Sequence, residues 1–240
     1  MTDVPESHPR YVSLRLRDAI VAGVEAGVTS VHGRGEAFDY LIGEATRPFA
    51  AEAIRAAAAM LITARHPVLS VNGNAAALVP DELVALGREL GAPLEVNIFH
   101  ASGERERAIA SHLRAHGADT VLLPTREAQL DYIDSNRRFV NPEGILRADV
   151  IFVPLEDGDR CQALRKMGKQ VITVDLNPLS RTSRTASITV VDNVARAMPR
   201  LIEELGPLCG LSRSELDAII DPFENERVLA AAADCVRRGG

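Results

Sequence analysis

The 240-residue sequence predicts an α/β protein, and three observations carry that prediction. From His66 onward, short apolar runs alternate with segments of helical periodicity. The runs are continuous in Val, Ile and Leu, as in strands buried on both faces. Several of the intervening helices end in glycine, at Gly91, Gly117 and Gly168, where a helix C-terminus takes φ > 0. Together these give a Rossmann-like, mainly parallel sheet with helices on both faces and helical segments at both ends.

In chain order, residues 10–66 read as almost wholly helical, interrupted by HGRGE at 32–36. AIRAAAAMLITA (53–64) carries Arg55 and is too short to span a bilayer, so it reads as a buried helix. The strand-like runs are PVLSV (67–71), LEVNIF (94–99), TVLLP (120–124), DVIFVP (149–154), QVITV (170–174) and ITVV (188–191). DELVALGREL (81–90) and RERAIASHLRAHG (105–117) are helices between them. VARAMPRLIEEL (194–205) and the stretches around 212–220 and 224–237 read as helices after the sheet. No repeat or low-complexity linker intervenes. The expectation is one α/β domain over 1–240, with a helical segment 1–66, a sheet core 67–193 and a helical segment 194–240.

Bulk composition narrows the function. Apolar residues are 46% and charged residues 25%, the balance of a folded soluble protein. The net charge of −6, without a lysine- or arginine-rich block, argues against nucleic acid. The absence of tryptophan argues against base-stacking platforms. Cys161, Cys209 and Cys235 are odd in number and far apart, which suits a reducing cytoplasm and not a disulfide framework. The polar start MTDVPESHPR has no apolar signal core, so a cytoplasmic location without a membrane partner is expected. Clustered arginines can still bind small anions against the global charge.

The residues that follow the strands carry most of the functional information. The first strand empties into NGN (72–74), the second into Phe99-His100-Ala101-Ser102, and the fourth into LEDGDR (155–160). The fifth gives DLNPLSRT (175–182) and the last Asp192-Asn193. In open α/β sheets ligands bind beyond the carboxyl ends of the strands, where helix N-termini also point. A polar, nucleotide-sized site at that edge follows. Each motif also has a plain structural reading: Asn72-Gly73-Asn74 as a turn, Asp157 and Asp159 as helix caps. GRGE (33–36) lacks dinucleotide-fingerprint spacing, although Arg34 between two glycines suits a phosphate. No G-x-x-x-x-G-K-[ST] loop, metal-ligand histidine spacing or G-x-S-x-G elbow is present. His112 and His116 share a helix face that reads as solvent-exposed. Chemistry by positioning and charge neutralisation is therefore favoured over a protein nucleophile. The absent G-x-G-x-x-G counts against an NAD-dependent oxidoreductase. A nucleotide-sensing protein without catalysis would leave the extra polar loops at 72–74 and 155–160 unexplained.

Taken together, HPRYVSL (8–14), HGRGEAFDYLIGE (32–44), HPVLSVNGNAAALVP (66–80), LEVNIFHASGERERAI (94–109), NPEGI (141–145), ADVIFVPLEDGDR (148–160), VITVDLNPLSRT (171–182) and ITVVDN (188–193) resemble the archaeal 4-phosphopantoate–β-alanine ligases, also called phosphopantothenate synthetases. The region 120–140 is less typical, and nothing beyond about 206 is diagnostic. The resemblance implies that 4-phosphopantoate and β-alanine are joined to 4'-phosphopantothenate in coenzyme A biosynthesis. ATP would be cleaved to AMP and pyrophosphate, with Mg2+, through a phosphopantoyl-adenylate. It assigns ATP to Arg17, Arg34, Asp175, Leu176, Asn177, Arg181, Thr182, Asp192 and Asn193, with the ribose contact open between Asp175 and Asp192. It also implies a homodimer, to which Arg17 is a candidate cross-subunit contributor. Charge logic adds Arg10, Arg105 or Arg160 for the substrate phosphate, and Glu36, Asp157 or Asp159 for the ammonium of β-alanine. Asn72 and Asn74 are candidate substrate ligands. Arg34, Asp157 and Asp159 are the candidates for catalysis.

Overall fold

The structure, a computed structural model, describes residues 5, 7–8, 11–29, 35–99 and 102–239, without the side chains of Ser13 and Glu36. All six expected strands form. They are β1 (Pro67–Val71), β2 (Leu94–Val96), β3 (Val121–Leu122), β6 (Val150–Phe152), β7 (Gln170–Val174) and β8 (Ile188–Val190). A small antiparallel pair, β4 (Ala128–Gln129) and β5 (Phe139–Val140), intervenes. The six pair in the order β3-β2-β1-β6-β7-β8, and every pairing among them is parallel.

Alternate residues of β1, β6 and β7 feed two separate cores, which explains their unbroken apolar runs. Leu69, Val71, Phe152, Ile172 and Val174 join the core on one face. That face is covered by α3 (Pro48–Thr63), α5 (Pro80–Leu90) and α9 (Val194–Leu208). Val68, Ile151, Val153 and Val171 join the other core, with α7 (Gly158–Lys166) and the segment between β3 and β6. Ser70, Glu95, Thr173 and Thr189 are buried polar residues of the same sheet. Gly91, Gly117 and Gly168 take φ of 59°, 94° and 80°, as their C-terminal positions require.

β2 and β3 are shorter than their apolar runs, and side chains add hydrogen bonds beyond their ends. The Asn97 amide donates to the carbonyls of Arg137 and Phe139 at 3.2 and 3.0 Å. Asn141 Nδ2 donates to Leu123 O at 2.9 Å. The N-terminal region holds α1 (Tyr11–Glu25), α2 (Glu36–Leu41) and α3. α1 packs on α4 (Gly73–Leu78), a short helix directly after β1, rather than on the sheet. The remaining helices are α6 (Gly103–Ala115), α8 (Arg181–Thr185), α10 (Arg213–Ile220) and α11 (Asn225–Arg238). α10 starts at a reciprocal cap between Ser212 and Glu215. No helix among the described residues is long and apolar enough to cross a membrane.

Candidate active site

From β1 the chain runs outward to β2 and β3, then returns to β6 on the other side of β1. The carboxyl ends of β1 and β6 therefore flank the switch point at which such sheets bind ligands. Asn72 staples the two ends. Its Oδ1 caps α4 by accepting from Ala75 N at 3.0 Å, while its Nδ2 donates to Pro154 O at 2.8 Å. Gly73 admits the backbone of α1's trailing turn, since a Cβ there would lie 2.5 Å from Val28 O. A cavity of about 280 Å³ opens beside this staple. Asn74, Leu155 and Glu156 form one wall, Asp175, Asn177, Ser180 and Thr182 a second, and Gly35 and Phe38 of the α2 region a third.

The Asp175 wall is a self-bonded turn. The Asp175 carboxylate accepts from Asn177 N at 3.0 Å and from Ser180 Oγ, and Asn177 Oδ1 accepts from Leu179 N at 2.9 Å. Thr182 Oγ1 donates to Glu156 O at 3.0 Å, tying this wall to the first. Leu155 in that first wall has φ 58°, a left-handed conformation uncommon for leucine.

Beneath Leu155 lies a buried charge cluster. Glu156, with no exposed side-chain surface, pairs with Arg160 (0% exposed) and Arg137 (5%). Arg160 also donates to Ser70 Oγ at 3.0 Å, and its Nε has no partner among the described residues. Asp157 pairs with Arg137 and caps α7 by accepting from Arg160 N at 2.9 Å. Burial pushes the Asp157 carboxyl upward, but the Arg137 charge and the Arg160 N–H outweigh it and hold it below its ordinary value. Glu95, on β2, accepts from the N–H groups of Asn141 and Ile145 at 2.8 and 2.6 Å. Burial still raises its pKa to about 7.

A second cluster stands beyond β8. Arg196 pairs with Asp39 of α2 and, at 2.7 Å, with Asp192. Thr46 Oγ1 donates to Asp192 at 2.6 Å, and Asn193 Nδ2 donates to Asp39 at 2.7 Å. This cluster fixes α2, and with it Gly35 and Phe38, against the end of the sheet.

Residues 49–239 match the family model described as phosphopantothenate/pantothenate synthetase, a match that includes all six sheet strands and the loops that end them. The chain belongs to that family. It is 49% identical to the 4-phosphopantoate–β-alanine ligase of Thermococcus kodakarensis, covering 96% of this chain and 90% of the relative. The protein of the same name from Methanosarcina mazei is 48% identical, over 97% and 93%. That from Thermococcus onnurineus is 50% identical, over 95% and 90%.

In this synthetase-family member, Asn74, Asp175, Asn177 and Thr182 line the cavity. Leu176 packs beneath Gly35, 3.4 Å from where a Cβ would stand. Asn72, Asp157, Asp192 and Asn193 are committed to caps and internal pairs, and Arg160 is wholly enclosed. Arg181 and Asp159 pair with each other at 2.7 Å on the open surface beside the α7 N-terminus. Arg17 is exposed on α1 with Asp18 at 3.3 Å, and Arg105 lies in the first turn of α6 beyond β2. Arg10, Arg34 and the Glu36 side chain lie outside the described residues. The face shared by His112 and His116 is half-buried instead of exposed. Their rings stand 4.6 Å apart, and burial, then the neighbouring His116, lowers the pKa of His112. Sequence reasoning missed Glu156, Ser180, Phe38 and Arg137. Glu156 stood inside a motif already singled out; Arg137 carried no signal, since its partners lie 19 to 40 residues away.

Proposed function

We propose that this enzyme joins 4-phosphopantoate to β-alanine, giving 4'-phosphopantothenate in the route to coenzyme A. The observation that carries the reading is identity near one half, over almost the whole chain, to three proteins bearing that one name. The geometry supports it. The cavity is lined by hydroxyl, amide and carboxylate groups, with no cation among its described lining, which suits the adenosine part of ATP. Asp175 retains lone pairs for a ribose hydroxyl. Polyphosphate belongs outside this wall, toward the exposed Arg181 and the N–H groups opening α7 and α9, with Arg34 joining by family resemblance.

A carboxylate is a poor electrophile, so the reading includes its attack on the α-phosphorus of ATP. Pyrophosphate leaves, and the amine of β-alanine then displaces AMP from the acyl-adenylate. The protein contributes orientation and charge stabilisation. Bound Mg2+ would neutralise phosphate charge on the ATP, outside the adenosine cavity. Among the described residues no group of three His, Cys, Asp or Glu side chains converges as a protein-only metal cage, the usual situation for an ion carried by ATP. We read the enzyme as one cytoplasmic domain working as a homodimer. A core running from Leu16 to Val228 supports the single domain, and exposed Val21, Val24, Tyr40 and Leu41 on α1 and α2 support the dimer.

The test is a product assay with ATP, Mg2+, 4-phosphopantoate and β-alanine. AMP and phosphopantothenate should appear together and only with both substrates present. ADP in place of AMP would reject the adenylate. Turnover of pantoate alone would move the chain to the other activity in the family's description, and no amide from either acid would reject the ligase.

A further inference from the structure

Arg137 belongs to none of the loops that end the sheet strands, yet it reaches two of them. Its Nε donates to Asn97 Oδ1 at 3.0 Å, at the end of β2. Its Nη2 donates to Glu156 Oε2 at 3.0 Å, and its Nη1 pairs with Glu156 and Asp157 beyond β6. One planar guanidinium thus spans the ends of β2 and β6, the strands on either side of β1. Arg160 does not duplicate this role, because its charged groups meet only Glu156 and Ser70 among the described residues.

Between those anchors stands the left-handed Leu155 of the cavity wall. Pro154 O and Leu155 O accept from Asn72 Nδ2 at 2.8 and 3.3 Å, and Glu156 O accepts from Thr182 at 3.0 Å. The turn is therefore held by groups from outside it, as a non-glycine residue in this conformation requires. We propose that Arg137 is a positioning residue for the ligation, clamping the Leu155–Glu156 turn in the shape that forms the cavity wall. The inference rests on the ligase reading of the site.

Full-length Arg137→Met and Arg137→Lys variants test it. Arg137→Met should lower kcat at least about fiftyfold and raise the KM for ATP several-fold, because the turn it holds is a wall of the adenosine cavity. Arg137→Lys should recover about fivefold over Arg137→Met, since the ammonium keeps the charge but cannot span both loops. In both variants, amide exchange at 155–158 should quicken while strands β6 and β7 keep their protection. A kcat loss that merely tracks the folded fraction overturns the proposal, as does a folded Arg137→Met with wild-type kcat. Wild-type kcat and exchange in Arg137→Lys overturn it too, which keeps the test decisive should Arg137→Met fail to fold. If the wild-type chain itself makes no amide, the ligase reading falls separately. The exchange at 155–158 then decides alone whether Arg137 clamps the turn.

Discussion

Two guanidinium clusters flank the cavity, and the same chemistry gives opposite outcomes in them. At Arg160 burial is complete, and it lowers the pKa despite the contact with Glu156. At Arg196, 14% exposed, burial also pulls the pKa down, but hydrogen bonds and charge from Asp39 and Asp192 overcome it and raise the value. Desolvation wins where two guanidinia share Glu156 beneath the sheet edge. Attraction wins where one guanidinium faces two carboxylates near solvent. The first cluster behaves as part of the scaffold under the turn at Leu155, and the second as a tether for α2.

The contrast breaks if Arg160→Met costs little. It leaves a buried carboxylate short of a partner, and about 3–5 kcal/mol of stability should be lost in denaturant unfolding. Adding Glu156→Leu should recover part of that, and a double variant as unstable as the single one would contradict the account. Glu95 sharpens it through pH. Its pKa is raised from 4.5 to about 7, so between those values the folded protein holds a proton the unfolded chain has released. Stability should be highest below pH 4.5 as far as this group is concerned, fall as pH rises to 7, and level off above, by on the order of 3 kcal/mol. Urea unfolding at stepped pH should show the fall in wild type and a flatter profile in Glu95→Gln. For the tether, Arg196→Leu should cost about 2–3 kcal/mol and quicken amide exchange in α2, with the sheet unaffected. The smallest stability effect belongs to the exposed pair. Arg181→Met should change stability by no more than about 0.5 kcal/mol, yet raise the KM for ATP. An unchanged KM would remove Arg181 from the nucleotide site.

The sheet was legible because buried parallel strands must be apolar on both faces, and Gly91, Gly117 and Gly168 punctuate the helices before them. The cavity edge was legible for the same topological reason, and Asn74, Asp175, Asn177 and Thr182 stand there. The division between ligand-facing and internal roles was not. Asn72, Asp157, Asp192 and Asn193 have the side chains of a binding site and also those of a helix cap, and all four cap or pair. β4, β5 and Arg137 escaped because their contacts are set by tertiary partners and not by local periodicity.

Helix α3 has a consequence for how the chain is made. Its buried residues run almost all round it, from Ala50 through Ala56, Ala57, Ala58 and Ala59 to Leu61. The helices packed on it include α9, α10 and α11, all encoded after residue 193. At ribosomal speed α3 is synthesised roughly ten seconds before those covering helices exist. A leucine-rich surface waiting that long would invite aggregation; alanine exposes far less apolar area per residue. The alanine run thus suits a helix that must spend part of its early life in water.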